Sequence, residues 1–385
     1  MNSAHPLVQQ ARSLASQFGR RSAEIEANRK LPPDIASLMG AAGFYRLFIL
    51  ERHGGLEVPA PIAAHIFEAL AEEDAACAWV AFIGATTALA LGRMPDTAIK
   101  EVLGVPETLI AGVFAASGKA VKVEGGFRVN GRWKWGSGSP NAAWIGGGCT
   151  LFEGDAPLTN SAGVPRNHML LFRASDVQLL DTWHSSGLRG TGSTDFTVHD
   201  VFVPDGRASG YLLKDVPDRP LFRFPQFGLL AHGVAAVTLG IARASIRELV
   251  RVAGDTKRSG TTVTLAHRPH AQIEVAQAEA RLRSARAFFF ETMEAAWSLA
   301  VEGVRPTLEM RRDLRLAVTH AVQASTQVVD TMYTLAGGSA VYESSPLQRQ
   351  MRDVHVATQH IMVSTNTLET IGQLLLGVEA NVATL

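Results

Sequence analysis

Apolar residues recur at helical spacing through the first part of the chain, up to about residue 110. Pro6 opens a segment in which Leu14, Phe18, Ile25 and neighbouring alanines follow a 3.6-residue repeat. In "LPPDIASLMGAAGFYRL", Pro32 and Pro33 mark a helix start and Gly43 its end. The glycine loop "ERHGGLEVP" follows, then a helix over Pro61–Ala75 with Glu72, Glu73 and Asp74 near its end. The run "AACAWVAFIGATTALAL" is apolar nearly all round, the pattern of a buried helix rather than of a membrane span.

Near Leu109 the period changes. Short apolar or β-branched runs such as "LIAGVFA", "FRVNGRWKW", "HMLLFRA" and "DFTVHDVFVP" alternate with Gly, Asn, Asp and Pro to about Gly210. Val123–Phe127 and Val129–Arg132 read as hairpin turns, because each places glycine where a tight turn needs it. Roughly seven short strands at this spacing predict a barrel or sandwich.

Helical periodicity returns from Leu229. Val237, Ile241, Ala244 and Leu249 share one face; Val275, Leu282 and Phe289 recur at heptad spacing. Leu314, Val318, Ala321, Ser325, Val328 and Met332 form a third stripe, stopped by Gly337 and Gly338. A last helix covers Pro346–Gly372. The prediction is an α+β multidomain chain: an N-terminal helical domain over 1–110, a central β-domain over 111–215 and an antiparallel four-helix bundle over 216–385.

Composition narrows the function. Lys+Arg and Asp+Glu both number 36, so formal net charge is zero, and there is no run of like charges to attract nucleic acid or an anionic membrane. The N-terminal segment lacks the apolar core of a signal peptide. Cys77 and Cys149 are the only cysteines, too few for a disulfide framework or a thiolate metal cluster, so a reducing cytoplasm is expected. The glycine-rich "GLRGTGSTD" and "WGSGSPNAAW" do not match G-x-G-x-x-G and do not lie in a strand-to-helix unit, which argues against a Rossmann domain.

The last helix concentrates titratable residues: Arg349, Arg352, Asp353, His355 and His360. His355 and His360 lie five residues apart, about 140° round a helix, unlike the i,i+4 pairs of zinc proteases, so no metal is expected. Asp353 and Arg349 have the spacing of an intrahelical ion pair that anchors the helix. His360 precedes Ile361, Met362 and Val363; an imidazole at that apolar boundary can make one hydrogen bond, or trade a proton near neutral pH. In "GRWKWGSGSPNAAW", three tryptophans and the serines either anchor a β-core or form an aromatic wall with a hydroxyl beside it.

Taken in order, "YRLFILERHGGLE", "FRVNGRWKWGSGSPNAAWIGGG", "GLRGTGSTDFTVHDVFVP" and "LAGGSAVYESSPLQRQMRDVH" resemble the acyl-CoA dehydrogenase fold superfamily nearly end to end. "GRWKWGSG" and "GLRGTGS…VFVP" are most similar to its flavin-dependent monooxygenases, the oxygenase components of two-component systems. The resemblance implies reduced flavin from a separate reductase, O2, a C4a-hydroperoxyflavin, hydroxylation of an aromatic or heteroatom-bearing small molecule, and a homotetramer. The dehydrogenases' catalytic glutamate falls at Ile361, and Glu369 lies two turns on; an acyl-CoA dehydrogenase or oxidase with a displaced base is the alternative. By resemblance His360 faces the flavin, Trp135 flanks it, and Ser137 sits near N5. Arg189, Thr191 and Ser193 are implied for its phosphate or ribityl chain. Where relatives carry a histidine, this chain has Thr86 and Thr87. "KRSGTTVTLAHRPHAQ" lacks the Arg–x–x–Phe–Gly of FAD-binding relatives, and "TLAGGSA" lacks their Gln, which favours FMN over FAD.

Overall fold

The computed structural model describes residues 4–105, 107–212, 216–256 and 262–385. Six helices come first: α1 (Pro6–Gly19), α2 (Ser22–Asn28), α3 (Pro33–Ala41), α4 (Ala60–Ala71), α5 (Ala75–Ala88) and α6 (Asp96–Val102). Seven strands follow: β1 (Ile110–Val123), β2 (Gly126–Gly136), β3 (Trp144–Glu153), β4 (Ala156–Pro157), β5 (Asn167–Arg173), β6 (Gln178–Leu180) and β7 (Thr194–Pro204). The chain ends in α7 (Pro220–Arg223), α8 (Gln226–Ala253), α9 (Pro269–Val301), α10 (Leu308–Ala336), α11 (Pro346–Thr358) and α12 (Thr365–Leu375). Residues 213–215, at the expected 215/216 boundary, and residues 257–261, in the stretch used to argue flavin type, lie outside the described residues.

Local chemistry accounts for most element ends. Pro6 occupies the first turn of α1, and His5 Nδ1 accepts from Leu7 N at 3.3 Å, capping it. Asp74 caps α5 by accepting from Cys77 N at 2.9 Å, so a sharp corner separates α4 from α5. The α10 stripe from Leu314 to Met332 is buried throughout, as its spacing predicts. One continuous apolar cluster joins α1–α5 to α8–α11, whereas the sheet has its own core around Trp133, Phe127, Phe172 and Phe196.

The sheet runs β4-β3-β1-β2-β7-β6, with β5 also on β3. Its β1–β3 pairing is parallel and the others antiparallel. The turn expected at Gly125 is the β1–β2 hairpin, Gly125 holding φ +73°. The second expected turn, at Asn130–Gly131, is instead a bulge inside β2: the register against β7 slips between Val129 and Gly131. Asn130 Oδ1 there accepts from Asp200 N at 2.9 Å, and the Trp133 ring leaves no room for a side chain at Gly131.

The last helix also differs from expectation. It breaks after Thr358, and His360 adopts an extended backbone that starts a short 3-10 turn over Ile361–Val363 before α12. The break occurs because His360 Nδ1 takes the Met362 N–H, and the polar run Ser364–Thr367 suits a new helix start.

Candidate active site

Trp135 and Ser137 sit where β2 leaves the sheet. Trp135 has φ +65° and Gly138 φ +77°, a bent exit that turns the Trp135 ring outward, 68% exposed, and the Ser137 side chain inward, 6% exposed. The neighbouring Trp133 is fully buried, its indole N–H on Gly148 O at 2.8 Å. The two readings of this hairpin thus divide between two residues: Trp133 is core and Trp135 is an outward-facing ring.

Ser137 belongs to a hydrogen-bonded chain built from three segments. Its Oγ accepts from Trp79 Nε1 of α5 at 3.1 Å and lies 2.6 Å from Ser193 Oγ. Ser193 Oγ lies 2.6 Å from Thr191 Oγ1, which donates to Leu188 O at 2.8 Å. Counting protons gives the chain a direction. A carbonyl can only accept, so Thr191 spends its proton on Leu188 and accepts from Ser193; Ser193 therefore accepts from Ser137. Every hydroxyl proton is committed, and what Ser137 has left is an acceptor lone pair. Thr191 and Ser193 thus face Ser137 and fix its orientation, while Arg189 points elsewhere, 4.0 Å from Glu26, with its Nε buried and unpartnered.

Leu188 is held in a left-handed conformation, φ +46°, and its N–H donates to Asp353 Oδ1 at 2.6 Å. Here the expected Asp353–Arg349 ion pair is corrected: among the described residues Asp353 anchors α11 to the loop before β7, not to its own helix. Burial, with Asp74 nearby, raises the Asp353 carboxyl to about 7 against the pull of the Leu188 N–H and Arg349. Arg352 braces the same loop, donating to Ser186 O at 2.6 Å and pairing with Glu26 at 2.5 Å. His355 is on a different face, in an exposed pair with Asp330 at 2.8 Å.

His360 meets the edge of the Trp79 ring, centroids 5.7 Å apart. Its Nδ1 accepts from Met362 N at 3.3 Å, which puts the ring proton on Nε2 and leaves that N–H without a protein acceptor. Burial, helped by the Arg315 charge, pushes its titration down to about 4. The expected proton exchange near neutral pH therefore gives way to a neutral hydrogen-bond donor.

Three residues of the site carried no readable signal. Trp79 is one apolar residue among many on a buried helix. His232 of α8 is fully buried between Phe48, Phe67 and Phe82 with its Nε2 unpartnered. Arg315 is buried with only the Thr367 hydroxyl at 3.2 Å and the Met362 sulfur at 3.8 Å as acceptors. Thr86 spends its hydroxyl on Phe82 O of its own helix at 2.9 Å. Farther along α5, roughly 15 Å from Trp79 at the helical rise, a cavity of about 450 Å³ opens beside Leu89, Phe114, Phe222, Phe224 and Leu229.

The polar atoms suit a flavin. The oriented Ser137 lone pair, the His360 Nε2–H without a protein acceptor and the buried, unpartnered Ser139 Oγ lie about the β2 exit, where the exposed Trp135 ring offers a flat apolar face.

Residues 232–365 match the acyl-CoA dehydrogenase C-terminal domain family. The chain is 35% identical over 361 residues to an indole-3-acetate monooxygenase of Pseudomonas putida, covering 93% of this chain and 90% of that one. It is 26% identical over 387 residues to the oxygenase component of p-hydroxyphenylacetate 3-hydroxylase of Acinetobacter baumannii, covering 97% and 89% of the two. The structure of XiaF from Streptomyces sp. in complex with FADH2 and glycerol matches with TM-score 0.89 and 26% identity, over 98% of this chain and 97% of that one. At 35% identity over nine-tenths of both chains, as with the Pseudomonas putida enzyme, the chain belongs to the flavin-dependent monooxygenases built on the acyl-CoA dehydrogenase fold, the oxygenase components of two-component systems.

Proposed function

We propose that the protein takes reduced FMN from a separate reductase and inserts one oxygen atom of O2 into a small aromatic molecule lodged in the cavity at the end of α5. The observation that carries this reading is the directional chain from Trp79 through Ser137, Ser193 and Thr191 to Leu188, set against the unpartnered His360 N–H. Bound reduced flavin supplies the electrons that activate dioxygen. Ser137 would accept a hydrogen bond from it, and Trp135 would offer it an apolar face. His360, neutral, donates from Nε2 to developing negative charge without releasing a proton. The rings of Trp79, Phe82 and His232 exclude water from this side.

FMN is preferred because "KRSGTTVTLAHRPHAQ" lacks the Phe–Gly, and "TLAGGSA" the Gln, that reach the adenosine half of FAD in FAD-binding relatives. The aromatic substrate class is supported by the cavity's phenylalanine walls and by relatives named for indole-3-acetate and p-hydroxyphenylacetate. A homotetramer in the cytoplasm completes the reading; Val341, Tyr342, Ile361, Leu375 and Leu376 are exposed apolar residues that assembly can cover. The test is rapid mixing of the anaerobic protein, loaded with reduced FMN, with oxygenated buffer. A transient near-ultraviolet absorbance distinct from both free flavin states is expected; direct return to oxidised flavin, as in free solution, refutes the assignment. Parallel titration with reduced FMN and reduced FAD decides the flavin.

A further inference from the structure

The cavity at the end of α5 is lined by polar and apolar groups in about equal measure, with one arginine among them. Arg93 lines it together with Asn167, His168 and Gln226, and among the described residues no Asp or Glu does. The Arg93 guanidinium is half-buried, and no carboxylate, carbonyl or aromatic face among the described residues receives it. Burial lowers the titration of the His168 ring that lines the cavity with it, with the Arg166 and Arg93 charges adding to this. His168 Nδ1 donates to Ser209 O, so this ring presents only an uncharged acceptor and brings no anion to Arg93. Most arginines this far from solvent are paired: Arg286 with Glu68 at 2.6 Å and Arg243 with Glu279 at 2.7 Å are examples in this chain. A half-buried guanidinium without a counter-ion has lost part of its hydration, a loss that an anionic ligand in the cavity would offset.

We propose that Arg93 is the carboxylate anchor of this cavity, and that the substrate is an aromatic acid whose ring extends along α5 toward Trp79 and His360. Resting on the monooxygenase reading above, this names the chemical class that the cavity selects and the residue that selects it. Phe114, Phe222 and Leu229 line the cavity, and beyond it toward the Ser137 chain lie the buried Phe82, His232 and Trp79 rings, with the Phe82 centroid 6.2 Å from that of His232 and 5.8 Å from that of Trp79. The roughly 15 Å from Trp79 to Leu89 along the helix favours a carboxylate on a linker over one attached directly to the ring. A planar fork holds a carboxylate with two parallel hydrogen bonds, which lysine cannot reproduce.

The test is an anaerobic binding titration of the full-length protein loaded with reduced flavin. Indole, indole-3-acetate, indole-3-propionate and indole-3-butyrate serve as probes. The wild type is expected to prefer the acids to indole. Arg93→Met should lower that preference roughly 10- to 100-fold, the loss of a charge-assisted hydrogen-bonded pair, and Arg93→Lys should restore part of it. Circular dichroism checks that each variant is folded, and Arg93→Gln replaces Arg93→Met if the latter is not. Arg315→Met tests a second, buried arginine without a carboxylate partner among the described residues. No preference for acids in the wild type, or a preference that survives Arg93→Met and Arg93→Gln, or one erased by Arg315→Met alone, overturns the proposal. The rapid-mixing experiment above is run without aromatic substrate, so its failure removes the monooxygenase reading while leaving the anchor result interpretable.

Discussion

Removing the middle hydroxyl of the Ser137 chain should add a donor to what that chain presents to the flavin. Ser193→Ala leaves the Ser137 proton without its acceptor and Thr191 without its donor, at a site only 4% exposed. Stranding a buried hydroxyl donor costs about 1–3 kcal/mol of stability if nothing replaces the acceptor. A flavin can replace it. Oxidised flavin has a lone pair at N5, whereas reduced flavin carries a proton there; wild-type Ser137, its own proton committed, can only accept. The variant should therefore gain a hydrogen bond to oxidised flavin, while its remaining lone pair can still accept from reduced flavin. At about 0.5–1.5 kcal/mol for one neutral hydrogen bond, the ratio of the two dissociation constants moves roughly 2- to 12-fold. The bound-flavin midpoint potential falls by roughly 10–30 mV for a two-electron couple. Anaerobic fluorescence titration with both flavin states gives the ratio directly, and dye equilibration gives the potential. An unchanged ratio with intact folding, or a shift toward tighter reduced flavin, would refute either the direction of the chain or the placing of Ser137 against N5. Ser137→Ala is the companion variant: it should weaken reduced flavin without strengthening oxidised flavin, and raise hydrogen peroxide per product.

Three further outcomes are expected. Asp353 is raised to about 7 from 3.8, so its contribution is full below pH 4 and lost as pH climbs through 7, at most about 4 kcal/mol. Asp353→Asn keeps an acceptor for Leu188 N, so its thermal midpoint relative to wild type should improve between pH 5 and 8; a relative loss at pH 8 would show that the ionised carboxylate stabilises the fold. His360→Ala should cut product formation roughly 10²-fold or more through the lost donor, and the wild-type rate should show no inflection from His360 between pH 5.5 and 8, because its titration lies near 4. His355→Ala should have little effect, since its pair with Asp330 is solvated and worth at most about 1 kcal/mol; equal losses from the two variants would contradict this geometry. Gly187→Ala would put a methyl 2.2 Å from Arg352 O, so the loop must shift off α11, and flavin affinity and thermal stability should fall together; a silent variant would mean that the loop has slack.

Local pattern was enough for the elements whose physics is local. The α10 stripe buries as its spacing predicts, Gly125 makes the β1–β2 turn because its left-handed φ suits glycine, and the "GRWKWGSG" and "GLRGTGS" motifs lead to the monooxygenase family by resemblance. Asn130–Gly131 shows where such reading stops: the same dipeptide signal makes a turn or a bulge depending on which strand lies opposite, and here β7 does. The parallel β1–β3 pair is likewise a decision of distant segments. So is the site. Trp79, Ser137, Thr191, Ser193 and Asp353 come from α5, the β2 exit, the loop before β7 and α11, and no spacing within any of them encodes a chain of hydroxyl protons running one way. Tertiary burial also set the protonation states, holding His360 neutral and Asp353 near neutrality's midpoint, because desolvation depends on what surrounds a group in space rather than on its neighbours in sequence.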